Sequence, residues 1–167
     1  MESAAAPALY VVDTSVWIDL VPFRSPIFVT LWARIEGLVT DGRMVVPEEV
    51  DHELNPSPDQ PAQWVHSHPQ IHRSTAETWE RAREVADRYP ALVNLAKPRG
   101  TADPFVVAVA IEERARAQAS LWPRDVVVVT NETSHLPGRV AIPDACAGYG
   151  IRPVDMYGWF AAEGWSF

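Results

Sequence analysis

Apolar and polar positions along the chain alternate between short apolar runs and longer amphipathic stretches. Leu9 to Val12 is continuously apolar or aromatic, and Ala8–Val12 reads as a strand buried on both faces. Asp13-Thr14-Ser15 ends it. Val16–Leu20 predicts a short helix closed by Pro22. Ile27, Leu31, Trp32, Ile35 and Leu38 recur at three-to-four spacing, which predicts an amphipathic helix from Pro26 to Leu38, stopped by Asp41-Gly42. Met44–Val46 predicts a second strand. Pro47 suits the start of a helix running from Glu48 to Leu54. Prolines 56, 58, 61 and 69 predict a long loop, with a turn of helix around Trp64.

Ser74-Thr-Ala-Glu77 has the form of a capping box and opens a helix that Pro90 stops. Asn94 to Thr101 reads as loop. Asp103-Pro104 reads as an N-cap followed by a first-turn proline, and the helix from Phe105 to about Ala119 is apolar nearly all round at its start. Asp125–Thr130 is the clearest strand. Residues 142–150 predict a loop or short helix, Ile151–Val154 a last strand and Met156–Ala162 a terminal helix. Strands alternating with helices predict a three-layer α/β/α domain with a mainly parallel sheet, spanning 1–167, with residues 1–7 flexible.

A length of 167 residues suits one domain, and 47% apolar with 22% charged residues excludes a disordered chain. No apolar run approaches the roughly 18–20 residues that span a bilayer. The first residues lack a basic segment and a long apolar segment, so no signal peptide and no membrane partner are expected. Cys146 is the sole cysteine, which excludes an intrachain disulfide and fits the cytoplasm. The net charge of −8 opposes strong nonspecific duplex binding. Clustered carboxylates, however, attract divalent metal.

In open α/β sheets, ligands sit beyond the carboxyl ends of the strands. The first strand ends in Asp13. The valine strand runs into Thr130-Asn131-Glu132. Met44–Val46 leads into a helix bearing Glu48, Glu49, Asp51 and Glu53, and the buried-looking helix opens at Asp103. At least three carboxylates therefore aim at one edge, where they need a cation or a proton to coexist. Oxygen ligands suit Mg²⁺ or Mn²⁺, and a pair of such ions serves phosphodiester hydrolysis.

Four segments carry a resemblance. They are Val11-Val-Asp-Thr-Ser-Val-Trp-Ile18, Val46-Pro-Glu-Glu-Val-Asp-His-Glu-Leu54, Ala102-Asp-Pro-Phe-Val-Val-Ala-Val-Ala110 and Val129-Thr-Asn-Glu132. In this order they resemble the blocks of the PIN-domain nucleases. The third block, with Ile142-Pro-Asp-Ala-Cys146, resembles a PIN-like subgroup of unknown function. The resemblance implies a metal-dependent endoribonuclease in which Asp13, Glu53, Asp103 and Glu132 hold Mg²⁺ or Mn²⁺ and act on RNA. Ser15 and Thr130 match positions whose hydroxyls support the acids. Many small stand-alone members are VapC-like toxins, which implies a small antitoxin partner and a homodimer.

Other readings stay open. Glu49 shares a helix face with Glu53, and Asn131 competes with Glu132 for the fourth position. Asp13 and Asp103 suit helix caps. Lys97, Arg99, Arg114 and Arg116 are the candidate RNA-binding cations. His52, His66, His68 and His72 fit no common metal spacing and are expected at the surface. Trp17, Trp32, Trp79 and Phe105 are expected in the core, whereas Trp64 is the aromatic expected to meet a partner. A binding module of the same fold without turnover, or a DNA-directed nuclease, are the alternative functions.

Overall fold

Strands β1 (Ala6–Val12), β2 (Met44–Pro47), β3 (His72–Arg73), β4 (Arg124–Val129) and β5 (Arg152–Val154) pair in parallel in the order β3-β2-β1-β4-β5. This computed structural model describes residues 6–93, 102–133, 138 and 140–167. Among them lie eight α-helices: α1 (Thr14–Asp19), α2 (Val29–Thr40), α3 (Glu48–Leu54), α4 (Gln60–His66), α5 (Ala76–Arg88), α6 (Asp103–Gln118), α7 (Ile142–Gly148) and α8 (Met156–Ala162). The helices flank the sheet in a three-layer α/β/α arrangement, as the alternating pattern predicts.

The central strands explain their own composition. Leu9 to Val12, Met44 to Val46 and Val126 to Val129 are buried on both faces of the sheet. β1 lies in the middle, with Tyr10 and Val11 opposite Met44 and Val45, and Val12 opposite Val129. Helix α6 packs between the sheet and α5, so its buried residues, Val106 to Ala110 among them, surround the helix instead of forming a stripe.

Several boundaries differ from the sequence expectation. β1 starts at Ala6, so Pro7 belongs to a strand; residues 1–5 lie outside the described residues. β3 was not expected. Its two residues pair with Val46 and Pro47 and carry no apolar run of their own. α2 begins at Val29 because residues 24–28 close a turn onto the Arg24 carbonyl. The proline-rich stretch contains the two-turn helix α4, capped by Asp59 with Pro61 in its first turn, where a missing N–H costs nothing. Helix α5 is capped by the Thr75–Thr78 pair and not by Ser74. Asp103 is the first helical residue of α6 and Ala102 its cap, so Asp103 is not an N-cap. The expected 94–101 loop falls outside the described residues.

The aromatic assignments also change. Trp64 stacks between Trp17 and His68, with Trp32 alongside, at ring separations of 5.4, 4.0 and 5.7 Å. It is half-buried and packs from α4 against the core. Trp79, by contrast, is 49% exposed and meets Phe105 edge-on at 4.8 Å. His52 and His66 are exposed, while His68 and His72 are half-buried.

At the amino-terminal edge of the sheet, Arg43 pairs with Glu163 through two contacts, of 2.5 and 3.0 Å. Tyr10 donates to the same carboxylate at 2.6 Å, and Arg43 Nε donates to the Ala8 carbonyl at 3.1 Å. This clamp ties β1, the turn before β2 and the end of α8. Burial raises the Glu163 carboxyl, but hydrogen bonds from Arg43 and Tyr10 and the charge of Arg43 outweigh it, leaving the group below its usual range. Burial and the neighbouring Glu163 push the Tyr10 hydroxyl well above its own range.

A carboxyl lowered in the folded state stabilises above its unfolded pKa and loses that contribution as pH falls through the folded value. Glu163→Gln should cost about 1–3 kcal/mol at pH 7. The difference from wild type should shrink toward about pH 2, as the lowered Glu163 carboxyl takes up its proton. Denaturant titrations at the two pH values test this; an equal loss at both would contradict it.

Candidate active site

Strand order reverses between β1 and β4. From β1 the chain first builds outward through β2 and β3, then crosses back to β4 and β5. At such a switch point the connections diverge, and a crevice opens beyond the carboxyl ends of the two strands. Asp13 and Thr130 are the residues that follow those ends.

Asp13 caps α1 and is only 2% exposed. Its Oδ2 accepts from Ser15 Oγ at 2.6 Å, Thr130 Oγ1 at 2.9 Å and the Ser15 backbone N–H at 3.3 Å. Ser15 Oγ and Thr130 Oγ1 are 3.4 Å apart, so both hydroxyls gather on one carboxylate oxygen. Burial raises the Asp13 carboxyl above its ordinary range. The hydrogen bonds from Ser15 and Thr130 work against that shift, and the charge of Glu132 adds to it. Both hydroxyls expected near the acids, those of Ser15 and Thr130, thus hydrogen-bond to Asp13.

Glu132 and Asn131 take different roles. Asn131 Nδ2 donates to Asp19 at 2.6 Å and its Oδ1 accepts from the Met156 N–H at 2.8 Å. The Asn131 side chain thus joins α1 to α8. Glu132 is the residue whose charge reaches Asp13, and its Oε2 accepts from the Ile142 N–H at 3.2 Å.

Glu53 links the other two segments. Its Oε2 accepts from Thr14 Oγ1 at 2.7 Å, one residue from Asp13, and its Oε1 accepts from the Ala102 N–H at 2.9 Å, one residue from Asp103. Residues 39 and 49 positions away from Glu53 are thereby drawn together. Glu49 makes neither contact. Its Oε2 is buried without a hydrogen-bond partner, and burial raises its carboxyl. Asp103 is buried in the first turn of α6, where a negative charge meets the positive end of the helix dipole.

The donor set around this edge is all oxygen, as Mg²⁺ or Mn²⁺ requires, and the buried charge of Asp13 beside Glu132 is one that a cation would relieve. Among the described residues, however, no three His, Cys, Asp or Glu side chains already stand together as a ready ligand set. Glu53 in particular holds both of its oxygens in hydrogen bonds within the protein.

Sequence reasoning overlooked two participants. The Thr14 hydroxyl positions Glu53, a role that its place between Asp13 and Ser15 makes available. Cys146, from α7, sits behind Asp13; burial and the Asp13 carboxylate push its thiol up to about 12.

Of the candidate cations, neither described one, Arg114 or Arg116, lies at this edge. Lys97 and Arg99 lie outside the described residues. Arg114 donates to the Tyr149 and Gly150 carbonyls, and Arg116 pairs with Glu113 at 2.6 Å and Glu112 at 3.5 Å. Both sit toward the far end of α6, ~16 Å or more along the helix from Asp103 at 1.5 Å per residue.

A carboxyl raised in the folded state stabilises below its unfolded pKa, and that contribution is lost as pH rises through the folded value. Asp13→Asn keeps the shape and removes the buried charge. Its melting temperature should exceed that of the metal-free wild type at pH 8, by about 2–4 °C for each kcal/mol relieved. The gap should close toward about pH 3. Thermal melts in chelator at both pH values measure this; a less stable variant at pH 8 would contradict it.

Comparison with curated proteins gives no match. A family model described as a domain of unknown function (DUF4411) matches residues 10–167, which include every site residue named above. On that match the chain belongs to the DUF4411 family.

Proposed function

We propose that this protein is a divalent-metal-dependent ribonuclease of the PIN type, with Asp13, Glu53, Asp103 and Glu132 as its metal-holding residues. The observation that carries the reading is the buried Asp13 carboxylate at the switch point. It is gripped by Ser15 and Thr130, with the like charge of Glu132 beside it. An uncompensated buried carboxylate costs several kcal/mol, and a cation at this edge offsets that cost. The order of the four sequence blocks adds the resemblance to PIN-domain nucleases.

When bound, Mg²⁺ or Mn²⁺ supplies a Lewis acid that favours attack of water on a phosphodiester and eases departure of the leaving oxygen. The protein's part is placement. Ser15 and Thr130 fix one Asp13 oxygen, Oδ2. Glu53 would hold the cation on releasing Thr14 Oγ1 and the Ala102 N–H, the two donors that its oxygens accept from here. Asn131 braces the loop that carries Glu132.

The test is cleavage of single-stranded RNA with Mn²⁺, beside a DNA strand of the same sequence. Wild type should cleave the RNA, and Asp13→Asn and Asp103→Asn should each lower the rate by about 100-fold or more while remaining folded. Mn²⁺ should raise the wild-type melting temperature and leave that of Asp13→Asn nearly unchanged. Preference for the DNA strand would move the assignment to a DNA-directed nuclease.

The hydrogen bonds that occupy Glu53 favour a second reading, a binding module without turnover. Absence of both Mn²⁺ stabilisation and cleavage would select it. The toxin role rests on the VapC-like resemblance alone. Expression should then arrest growth in wild type and not in Asp13→Asn, and a small antitoxin and a homodimer would accompany it.

A further inference from the structure

The amino-terminal edge of the sheet, opposite the acidic crevice, carries the cations that the proposed site does not use. A cleft of about 380 Å³ there is lined by Arg114, Arg124 and Arg152, with Gln118 and a single carboxylate, Asp125. Arg114 is held by the Tyr149 and Gly150 carbonyls at 2.6 and 2.9 Å, both through Nη1, and Arg124 Nη1 donates to the Gly42 carbonyl at 3.3 Å. Carbonyls position these guanidinium groups without neutralising them. Among the described residues, none of the three arginines has an ion pair.

Arg124 also lines a second cleft, of about 640 Å³, together with Trp122. Trp122 is 81% exposed, beside Leu121 at 92%. The other arginines of that cleft, Arg43 and Arg116, are paired with Glu163 and with Glu113 and Glu112. The unpaired positive charge is thus concentrated at Arg114, Arg124 and Arg152, with an open indole next to it. In a chain of net charge −8, such a concentration stands against the global field.

The geometry points to a binding site for an RNA strand on this edge: Arg114, Arg124 and Arg152 hold backbone phosphates, and Trp122 stacks on a base. Guanidinium groups fix phosphate oxygens and an exposed indole accepts any base face, a combination suited to single strands without sequence readout. The choice of RNA over another polyanion rests on the ribonuclease reading. The site would hold substrate outside the crevice, on the side of the sheet remote from Asp13.

The test separates the two readings by omitting metal. Fluorescence anisotropy of a labelled oligouridylate of about 12 nucleotides is followed in chelator, where cleavage cannot contribute. The Arg124→Ala/Arg152→Ala double variant should bind at least about ten-fold more weakly, and the log–log dependence of affinity on salt should fall by about 1.4. Trp122→Ala should weaken binding by roughly ten-fold, with melting temperatures of all variants near wild type. No binding by wild type, or unchanged affinity in both variants, overturns the proposal. Displacement of the RNA by inorganic polyphosphate of equal charge, with no effect of Trp122→Ala, also overturns it. A protein that binds this way and never cleaves keeps the site and loses the ribonuclease reading. One that cleaves RNA with affinity unaltered by these variants does the reverse.

Discussion

Taking the Asp13 carboxylate out of water is the costly act around which this sheet is arranged. Asp13 ends the central strand and caps α1, so its position is fixed by backbone on both sides. Removing a charge from water costs several kcal/mol, and each hydrogen bond to a charged group returns about 1.5–3 kcal/mol. Ser15 and Thr130 supply part of that compensation, yet the carboxyl stays raised and Glu132 raises it further. The apolar sheet behind it, from Leu9 to Val12 and Val126 to Val129, provides the stability that tolerates the deficit.

Parallel pairing gives the molecule two unlike edges. Every strand ends on the side where Asp13 and Glu132 lie and begins on the side where Arg43, Arg124 and Arg152 lie. On the acidic edge like charges are left facing one another. On the opposite edge, opposite charges are paired where the fold needs a clamp, as Arg43 is by Glu163 and Tyr10. α6 spans both, with buried Asp103 in its first turn and Arg114 and Arg116 near its last. The ribonuclease and strand-binding proposals therefore concern opposite poles of one helix, and they stand or fall on separate measurements.

Glu53 shows how such a site can be closed or opened. Its two oxygens bridge Thr14 and Ala102, joining the segments that bear Asp13 and Asp103. The same bonds occupy both Glu53 oxygens in this arrangement. Release of these two charge-assisted hydrogen bonds would be a local event, since Asp13, Ser15, Thr130 and Asn131 are held by other partners.

The amino-acid sequence by itself determined the three central strands and the edge at which they end. Continuous apolar runs can be satisfied only by strands buried on both faces, and the polar residues that end those runs must fall at the strand termini. Asp13, Thr130 and the start of α6 were legible for that reason. The tertiary structure decided what local pattern cannot encode. Helical spacing offers Glu49 and Glu53 equally, but only Glu53 meets Thr14 and Ala102. Adjacent Asn131 and Glu132 are separated by the long-range contacts of Asn131 with Asp19 and Met156. β3 forms where the end of β2 offers it backbone partners, and Trp64 is half-buried because it stacks with Trp17, Trp32 and His68. In each case the deciding partner lies far along the chain, where periodicity carries no information and packing alone makes the choice.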